Sequence, residues 1–398
     1  MTPPPGEYRS DTAPNPEQCA APNTRSRCFP PFSFGHARAA TGVGELGRSA
    51  TNFTIHDSQR AACDQAPPSE IKMKIFSIIT AIFMLACAAQ GEPAPPVLCG
   101  GFIQYWKGME TWGKDKWHPV LEAMHKAGMT VVVIQQLAAE KAPGETEWYM
   151  AEGEDATAVI LEYAAKHGMK VYVGLYRHRL NGDTGSANPD FLKQAEKDNL
   201  KVADAAAKKY GSSEAFAGWY IPLEPWTSDK APLMAFQPFF QTVSKRCKKL
   251  ADKPVAFSPF VNLCPNSPEV VTAAYQEFLP DSGLDILMLQ DGVGARNLDD
   301  AGVKANAKYF RAVGIACKEA NVRFWANVEC FTSFNGNSPA NPSRFRLQRE
   351  SVPTAEAAVT FDFLHYMNPV DFPDSWGAKW KKEMKVLYEA YMKEIEHP

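Results

Sequence analysis

Short apolar runs alternate with longer amphipathic segments from Leu98 to the end of the chain, and this alternation constrains the fold more than any other feature. The apolar runs have the length and the β-branched content of buried strands, and the segments between them have the period of helices. The pattern repeats eight times over roughly the length that a closed barrel requires. We therefore predict an α/β fold, a single (β/α)₈ TIM barrel that occupies residues 98–398.

Strands and helices are assigned from this periodicity and from turn and capping residues. The predicted strands are residues 98–105, 130–135, 170–176, 216–223, 254–260, 284–290, 322–328 and 359–363. The predicted helices are residues 115–127, 155–167, a segment ending at 210, 232–250 with an interruption near Pro238, 268–278, 300–320, a segment from about 343, and 376–395. An open doubly wound sheet is the alternative. It would carry a Gly-rich phosphate loop after the first strand, whereas Gly100 and Gly101 lie at the start of that strand.

The residues before the barrel differ from it in composition. Residues 1–72 are rich in Pro, Ser, Thr, Ala and Arg without a sustained apolar period, which predicts a disordered leader. Residues 73–89 combine a charged start, a short apolar run and small residues, the order found in a secretory signal. Residues 90–97 are then a linker. We prefer Met73 as the true start; the alternative is a cytosolic tail followed by a buried hydrophobic helix.

The signal segment has two alternative fates. Met84-Leu85-Ala86-Cys87 resembles a bacterial lipobox, in which Cys87 would become lipidated, and simple cleavage after Ala88 is the alternative. Either fate predicts an exported protein that is periplasmic, secreted or lipid-anchored at the bacterial envelope. Membrane attachment is expected through such a lipid anchor only.

Charge and composition exclude several classes of function. The formal net charge is −3, and Lys and Arg are dispersed, so no nucleic-acid partner is expected. No C-x-x-C motif occurs, and the His residues are too scattered for a metal cage. We predict no metal and no cofactor.

Two glutamates stand where a predicted strand ends. Glu224 follows the fourth strand and Glu329 follows the seventh. Barrel enzymes build their active sites at the carboxyl ends of the strands, so the two side chains are expected to face one pocket. A pair of carboxyl groups about 5 Å apart suits retaining cleavage of a glycosidic bond.

The other residues at these strand ends are amides, aromatic residues and charged groups, which suits a neutral polyhydroxylated ligand. The predicted substrate-binding residues are Gln104, Trp106, Gln135, Tyr176, Arg177, Trp226, Gln290, Asp291 and Asn327. Asp291 is equally typical of a turn, and Arg177 of a structural ion pair. His365 is interpreted as a structural residue at the barrel end.

The strand-end residues resemble two known groups. The glutamates on strands four and seven resemble the pattern of clan A glycoside hydrolases, which implies Glu224 as acid/base and Glu329 as nucleophile. That clan has Asn before the acid/base, whereas Leu223 stands here. The motifs 101–104, 218–224, 289–294 and 325–329 resemble the domain of unknown function 4434 family, a set of bacterial glycosidase-like TIM barrels.

Taken together, the residues and the resemblance predict an exported glycoside hydrolase acting on an oligosaccharide or polysaccharide. A glycan-binding barrel without turnover is the alternative class. A structural lipoprotein of a polysaccharide machine is a third hypothesis.

Overall fold

The computed structural model describes residues 96–106, 108–142, 144–178, 187–225, 230–261, 266–333, 337–352, 354–371 and 377–397. The predicted leader, signal segment and lipidation site Cys87 lie outside the described residues, and so does Trp226.

Eight parallel strands form a closed barrel, which confirms the predicted TIM-barrel fold. The strands, in chain order, are β1 (Leu98–Ile103), β2 (Val131–Ile134), β3 (Ala138–Ala142), β4 (Glu145–Trp148), β5 (Lys170–Gly174), β6 (Tyr176–Arg177), β7 (Phe216–Ile221), β8 (Val255–Phe257), β9 (Ile286–Gln290), β10 (Arg323–Glu329), β11 (Phe331–Thr332), β12 (Ser338–Pro339) and β13 (Ala357–Phe361). Hydrogen bonds join the barrel strands in the order β1-β13-β10-β9-β8-β7-β5-β2, and β2 pairs with β1 to close the ring. Strands β7 and β10 are therefore the fourth and seventh barrel strands.

Helices alternate with the barrel strands. They are α1 (Lys114–Lys126), α2 (Ala156–Lys166), α3 (Pro189–Tyr210), α4 (Lys230–Leu250), α5 (Pro268–Phe278), α6 (Val293–Arg296), α7 (Asp300–Glu319), α8 (Pro342–Glu350), α9 (Phe363–Tyr366) and α10 (Ala378–Glu396), with a 3₁₀ turn at Met109–Thr111. Local sequence fixes several ends. Asp155 caps α2 by accepting a hydrogen bond from the Ala158 amide, and Gly168 follows that helix with φ of 68°.

The structure differs from the predicted elements at three places. Helix α4 continues through Pro238, and the buried Phe236 and Phe240 on either side of the proline pack against the core. Residues 136–154, which lie between a predicted strand and a predicted helix and were assigned to neither, contain a β-hairpin, because β3 and β4 pair and β6 joins them as a third strand. The eighth barrel strand lies two residues earlier than expected, since Phe363 begins α9.

The core has two layers. The larger layer lies between the strands and the helices, where Trp117, Phe240 and Tyr391 are buried. The smaller layer fills the barrel and consists of Phe102, Val131, Val133, Tyr172, Tyr220, Ala256, Ile286, Met288, Trp325 and Val359. Side chains alternate along a strand, so the next inward positions beyond this plug lie at the carboxyl end of the barrel.

Among the described residues, no helix has both the length and the apolar character needed to cross a membrane.

Candidate active site

Several of the polar residues predicted for the site point into the barrel just above the apolar plug, at the carboxyl ends of the strands. Phe102 is followed two residues later by Gln104, Val133 by Gln135, Met288 by Gln290, and Trp325 by Asn327 and then Glu329. The apolar plug therefore forms the floor of the site, and amides and carboxyl groups form the layer above it.

Glu224 lies three residues beyond the end of β7 and is half-buried. The side-chain amides of Gln135 and Gln290 and the positive charge of Arg177 lie close enough to its carboxyl group to favour the ionised form. Burial opposes the charged form more strongly than these contacts favour it, and it raises the pKa of Glu224 to about 7. Near neutral pH this carboxyl group is therefore divided between its protonated and ionised forms, so it can both donate and accept a proton.

Glu329 is the last residue of β10 and is buried. One of its carboxylate oxygens, Oε2, accepts a hydrogen bond of 2.7 Å from the Ala295 amide at the start of α6. Burial, and next the charge of Asp291, raises the pKa of Glu329 to about 8, and the charge of Glu224 acts in the same direction. The two predicted catalytic glutamates thus sense each other's charge.

Asp291 is the third acid of the site and is buried. Its Oδ1 accepts hydrogen bonds from the backbone amides of Val293 and Glu329, each at 3.2 Å. Its Oδ2 accepts one of 2.7 Å from Gln348 Nε2. Burial raises the pKa of Asp291 to about 6 despite these donors. Asp291 therefore both forms the predicted turn after β9 and places a negative charge beside Glu329.

The turn after Asp291 brings the backbone close to the neighbouring strand and to Glu329. Gly292 has φ of 60° and leads into the short helix α6. A Cβ atom on Gly294 would lie 2.2 Å from the Phe331 carbonyl oxygen and 3.1 Å from Glu329 Oε2. Glycine is required here because the backbone approaches both the neighbouring strand and the Glu329 carboxylate.

Two site residues on α8 were missed by sequence reasoning. Gln348 is buried and donates to Asp291 Oδ2 and, at 2.9 Å, to the Glu329 carbonyl oxygen. Arg344 is half-buried, donates to the Phe331 carbonyl and lies near enough to Asp291 and Glu329 for their charges to act on it. The two residues are four apart on the helix after the seventh barrel strand, which places them on one helical face. The four-residue spacing of these two polar side chains is the feature of the sequence that could have identified them as neighbours.

Gln104 is joined by hydrogen bonds to both Gln135 and Trp106. Gln104 Nε2 donates to Gln135 Oε1 at 2.6 Å, and Trp106 Nε1 donates to Gln104 Oε1 at 3.0 Å. The Trp106 ring stacks on the His365 ring with centroids 3.7 Å apart. A substrate-binding role for these residues stays a prediction, although Gln135 does contact Glu224.

Asn327 and Gln290 both contact Ser258, whereas Tyr176 lies elsewhere. Asn327 is buried and donates to Ser258 Oγ at 2.9 Å, and its Oδ1 has no hydrogen-bond partner within the described part of the chain. Gln290 donates to the Ser258 carbonyl at 2.7 Å. Tyr176 lies in β6, outside the barrel ring, and its hydroxyl bonds Thr146 Oγ1 at 3.2 Å.

His365 is buried, and its Nδ1 lies 2.6 Å from Asp362 Oδ2. This contact agrees with its interpretation as a structural residue. The described ranges contain no group of three or more His, Cys, Asp or Glu side chains that could hold a metal ion.

Solved structures share this fold at low sequence identity. One is a protein from Bacteroides thetaiotaomicron proposed to be an alpha-L-fucosidase, with a TM-score of 0.62 and 21% identity over 78% of this chain and 98% of that one. The endo-1,4-beta-D-mannanase of Thermotoga petrophila is similar with a TM-score of 0.52 and 12% identity, over 75% of this chain and 99% of that one. A second structure described as the endo-beta-1,4-mannanase of that organism has a TM-score of 0.52 and 13% identity, over 76% and 77% of the two chains.

No curated protein matches the sequence. A family model described as "Domain of unknown function (DUF4434)" matches residues 98–376, which include Glu224, Asp291 and Glu329. The match covers most of the chain and nearly all of the barrel, so the chain belongs to the DUF4434 family.

Proposed function

We propose that this protein is an exported glycoside hydrolase that cleaves a glycosidic bond with retention of configuration. Glu224 is the general acid/base and Glu329 is the nucleophile. The observation that carries the proposal is the pair of glutamates at the ends of the fourth and seventh barrel strands, close enough for the charge of Glu224 to act on Glu329.

The environment of Glu224 suits an acid that later becomes a base. With a pKa near 7, it can protonate the leaving oxygen at neutral pH. The carboxylate that remains is stabilised by Arg177 and by the amides of Gln135 and Gln290. In the second step it takes a proton from the water that attacks the anomeric carbon, which restores the acid form.

Glu329 must be ionised to attack the anomeric carbon. Burial and the charge of Asp291 oppose that form, whereas the Ala295 amide and the Arg344 guanidinium favour it. The pKa of Glu329, about 8, lies above that of Glu224, about 7, so in the free protein the first proton binds Glu329. The hydrolase therefore requires bound sugar to move this proton to Glu224, which also removes one of the charges that repel the ionised nucleophile. Formation of the glycosyl ester then removes a buried negative charge, so the burial that raises the pKa of Glu329 favours the intermediate.

A glycan-binding barrel without turnover is the second candidate, and the residue before Glu224 favours it. Leu223 is buried in the hydrophobic core and offers no amide beside Glu224. The contact that an Asn would make to the sugar 2-hydroxyl, as implied by the resemblance to clan A, is therefore missing.

A screen of aryl glycosides and natural glycans separates the two candidates. Fucosides and β-1,4-mannans are sensible first substrates, since two proteins of similar fold are described by activity on them. Hydrolysis by the parent that is lost in both Glu224→Gln and Glu329→Gln supports the hydrolase. Binding that survives both changes, with no hydrolysis by the parent, supports the binding module.

Export is the remaining part of the proposal, and it depends on residues 73–89. Sequencing the amino terminus of the protein from its native cells tests it. A mature start at Ala89, or a lipidated Cys87, supports export, and a mature start upstream of Met73 contradicts it.

A further inference from the structure

A line of side-chain contacts leads from Trp106 to Glu224. The Trp106 indole donates to Gln104 Oε1, Gln104 Nε2 donates to Gln135 Oε1, and the Gln135 amide lies close enough to the Glu224 carboxyl group to lower its pKa. The line starts after β1, passes the end of β2 and ends after β7, so it crosses the mouth of the barrel.

The indole sets the direction of every bond in this line. Its N–H can only donate, so the atom of Gln104 that faces it must be the oxygen. The Gln104 amide nitrogen therefore faces Gln135, whose facing atom must in turn be its oxygen. The Gln135 nitrogen is left to donate to Glu224. A single donor-only group thus removes the usual ambiguity of two amide orientations.

Trp106 is itself held in place. Its ring stacks on His365 with an interplanar angle of 23°, and the His365 ring is held by Asp362. The Trp380 indole donates to the His365 carbonyl oxygen at 2.6 Å. Both His365 and Asp362 are fully buried, so the support beneath Trp106 is rigid.

We propose that Trp106 and Gln104 are positioning residues that hold the Gln135 amide with its N–H toward Glu224. The inference rests on the proposed acid/base role of Glu224 for its functional meaning, and it assigns these two residues a task other than direct contact with sugar. Among the described residues, Arg177, Tyr220 and Glu329 also act electrostatically with Glu224.

Loss of the indole N–H should let both amides turn over together. Gln104 would then present its oxygen to Gln135, and Gln135 would present its own oxygen to Glu224. An oxygen in that place accepts a hydrogen bond from the protonated carboxyl group and repels the ionised one. The protonated form of Glu224 would gain stability without any change in net charge.

The test is a titration of Glu224 in variants of the full chain, followed by carbon-13 NMR of the glutamate carboxyl groups. Glu224→Gln identifies the Glu224 signal by its loss. Trp106→Phe removes the N–H and keeps a ring on His365. Trp380→Phe is the matched control, because it removes an indole N–H that supports the same histidine from outside the line.

We expect the Glu224 midpoint to rise by about one pH unit in Trp106→Phe and to stay unchanged in Trp380→Phe. Gln104→Met breaks the same line and should move the midpoint in the same direction, so it carries the test if Trp106→Phe does not fold. An unchanged or lower midpoint in the folded variants, or an equal rise in Trp380→Phe, would overturn the proposal.

The titration needs no substrate, so it gives a result even if the chain hydrolyses nothing. If the chain is active, the alkaline limb of the pH profile of kcat/KM should move to higher pH in Trp106→Phe, by the same amount as the Glu224 midpoint. A midpoint that moves in a chain without hydrolase activity supports the positioning role and sinks the proposed function. Hydrolysis by the parent together with an unchanged Glu224 midpoint in Trp106→Phe supports the proposed function and overturns the positioning role.

Discussion

Replacing Glu329 with Gln should make the protein more stable at alkaline pH. The ordinary pKa of a glutamate is 4.5, and the folded protein raises that of Glu329 to about 8. The folded chain therefore binds this proton more tightly than the unfolded chain does. The resulting stabilisation is fully present below about pH 4.5 and is lost as the pH rises through about 8.

Each pH unit between the two values corresponds to about 1.4 kcal/mol, so the full difference approaches about 5 kcal/mol. Relaxation around the neighbouring acids reduces this figure, and we expect the Glu329→Gln variant to be about 2–5 kcal/mol more stable than the parent at pH 9. At pH 4.5 and below the two proteins should have nearly equal free energies of unfolding, because Glu329 is then neutral in the folded parent.

Equilibrium unfolding in guanidinium chloride from pH 4.5 to 9 measures this difference. Glu214→Gln, a change at an exposed glutamate, is the control and should show no pH-dependent difference from the parent. The reasoning is refuted if the parent and Glu329→Gln differ by the same amount at every pH. It is also refuted if the variant is the less stable protein at pH 9.

Three further predictions concern the same site. Glu224→Gln should lower kcat about 10²–10⁴-fold on a natural glycan and much less on aryl glycosides with good leaving groups, as steady-state kinetics on both will show. Asp291→Asn removes a charge that raises the pKa of Glu329, so the acidic limb of kcat/KM should move to lower pH; an unmoved limb would contradict the account. Gly294→Ala should cost about 1–3 kcal/mol of stability by denaturant unfolding and should also lower kcat, because its Cβ would meet the Phe331 carbonyl beside Glu329.

The barrel was predictable because its signal is repeated. Runs such as Val131–Ile134 and Ile286–Gln290 read as strands buried on both faces, and an error at one strand leaves the pattern intact. The eighth strand was displaced because Phe361 and Phe363 look alike in sequence. Only the structure shows that Asp362 between them caps α9 by accepting from the His365 amide.

The placement of the carboxyl groups was predictable from one rule, that strand ends converge at the mouth of a barrel. The effect of each carboxyl group on the pKa of the others was not predictable, because it depends on burial and on distances between elements far apart in sequence. The contribution of α8 shows the limit: the spacing of Arg344 and Gln348 marks one helical face, but it does not indicate that Gln348 reaches Asp291 and the Glu329 carbonyl. The amide orientation at Gln135 likewise depends on a contact with Gln104 from another strand end.

The anomeric configuration of glycosyl azides made by two alanine variants tests the central claim most directly. With an activated substrate found in the screen, azide should rescue both variants. Glu224→Ala should give an azide of retained configuration, since azide then attacks the glycosyl-enzyme, and Glu329→Ala should give the inverted azide, since azide takes the place of the nucleophile. The opposite pairing of configurations, or an inverted sugar released by the parent, would contradict the assignment of the two glutamates to these roles.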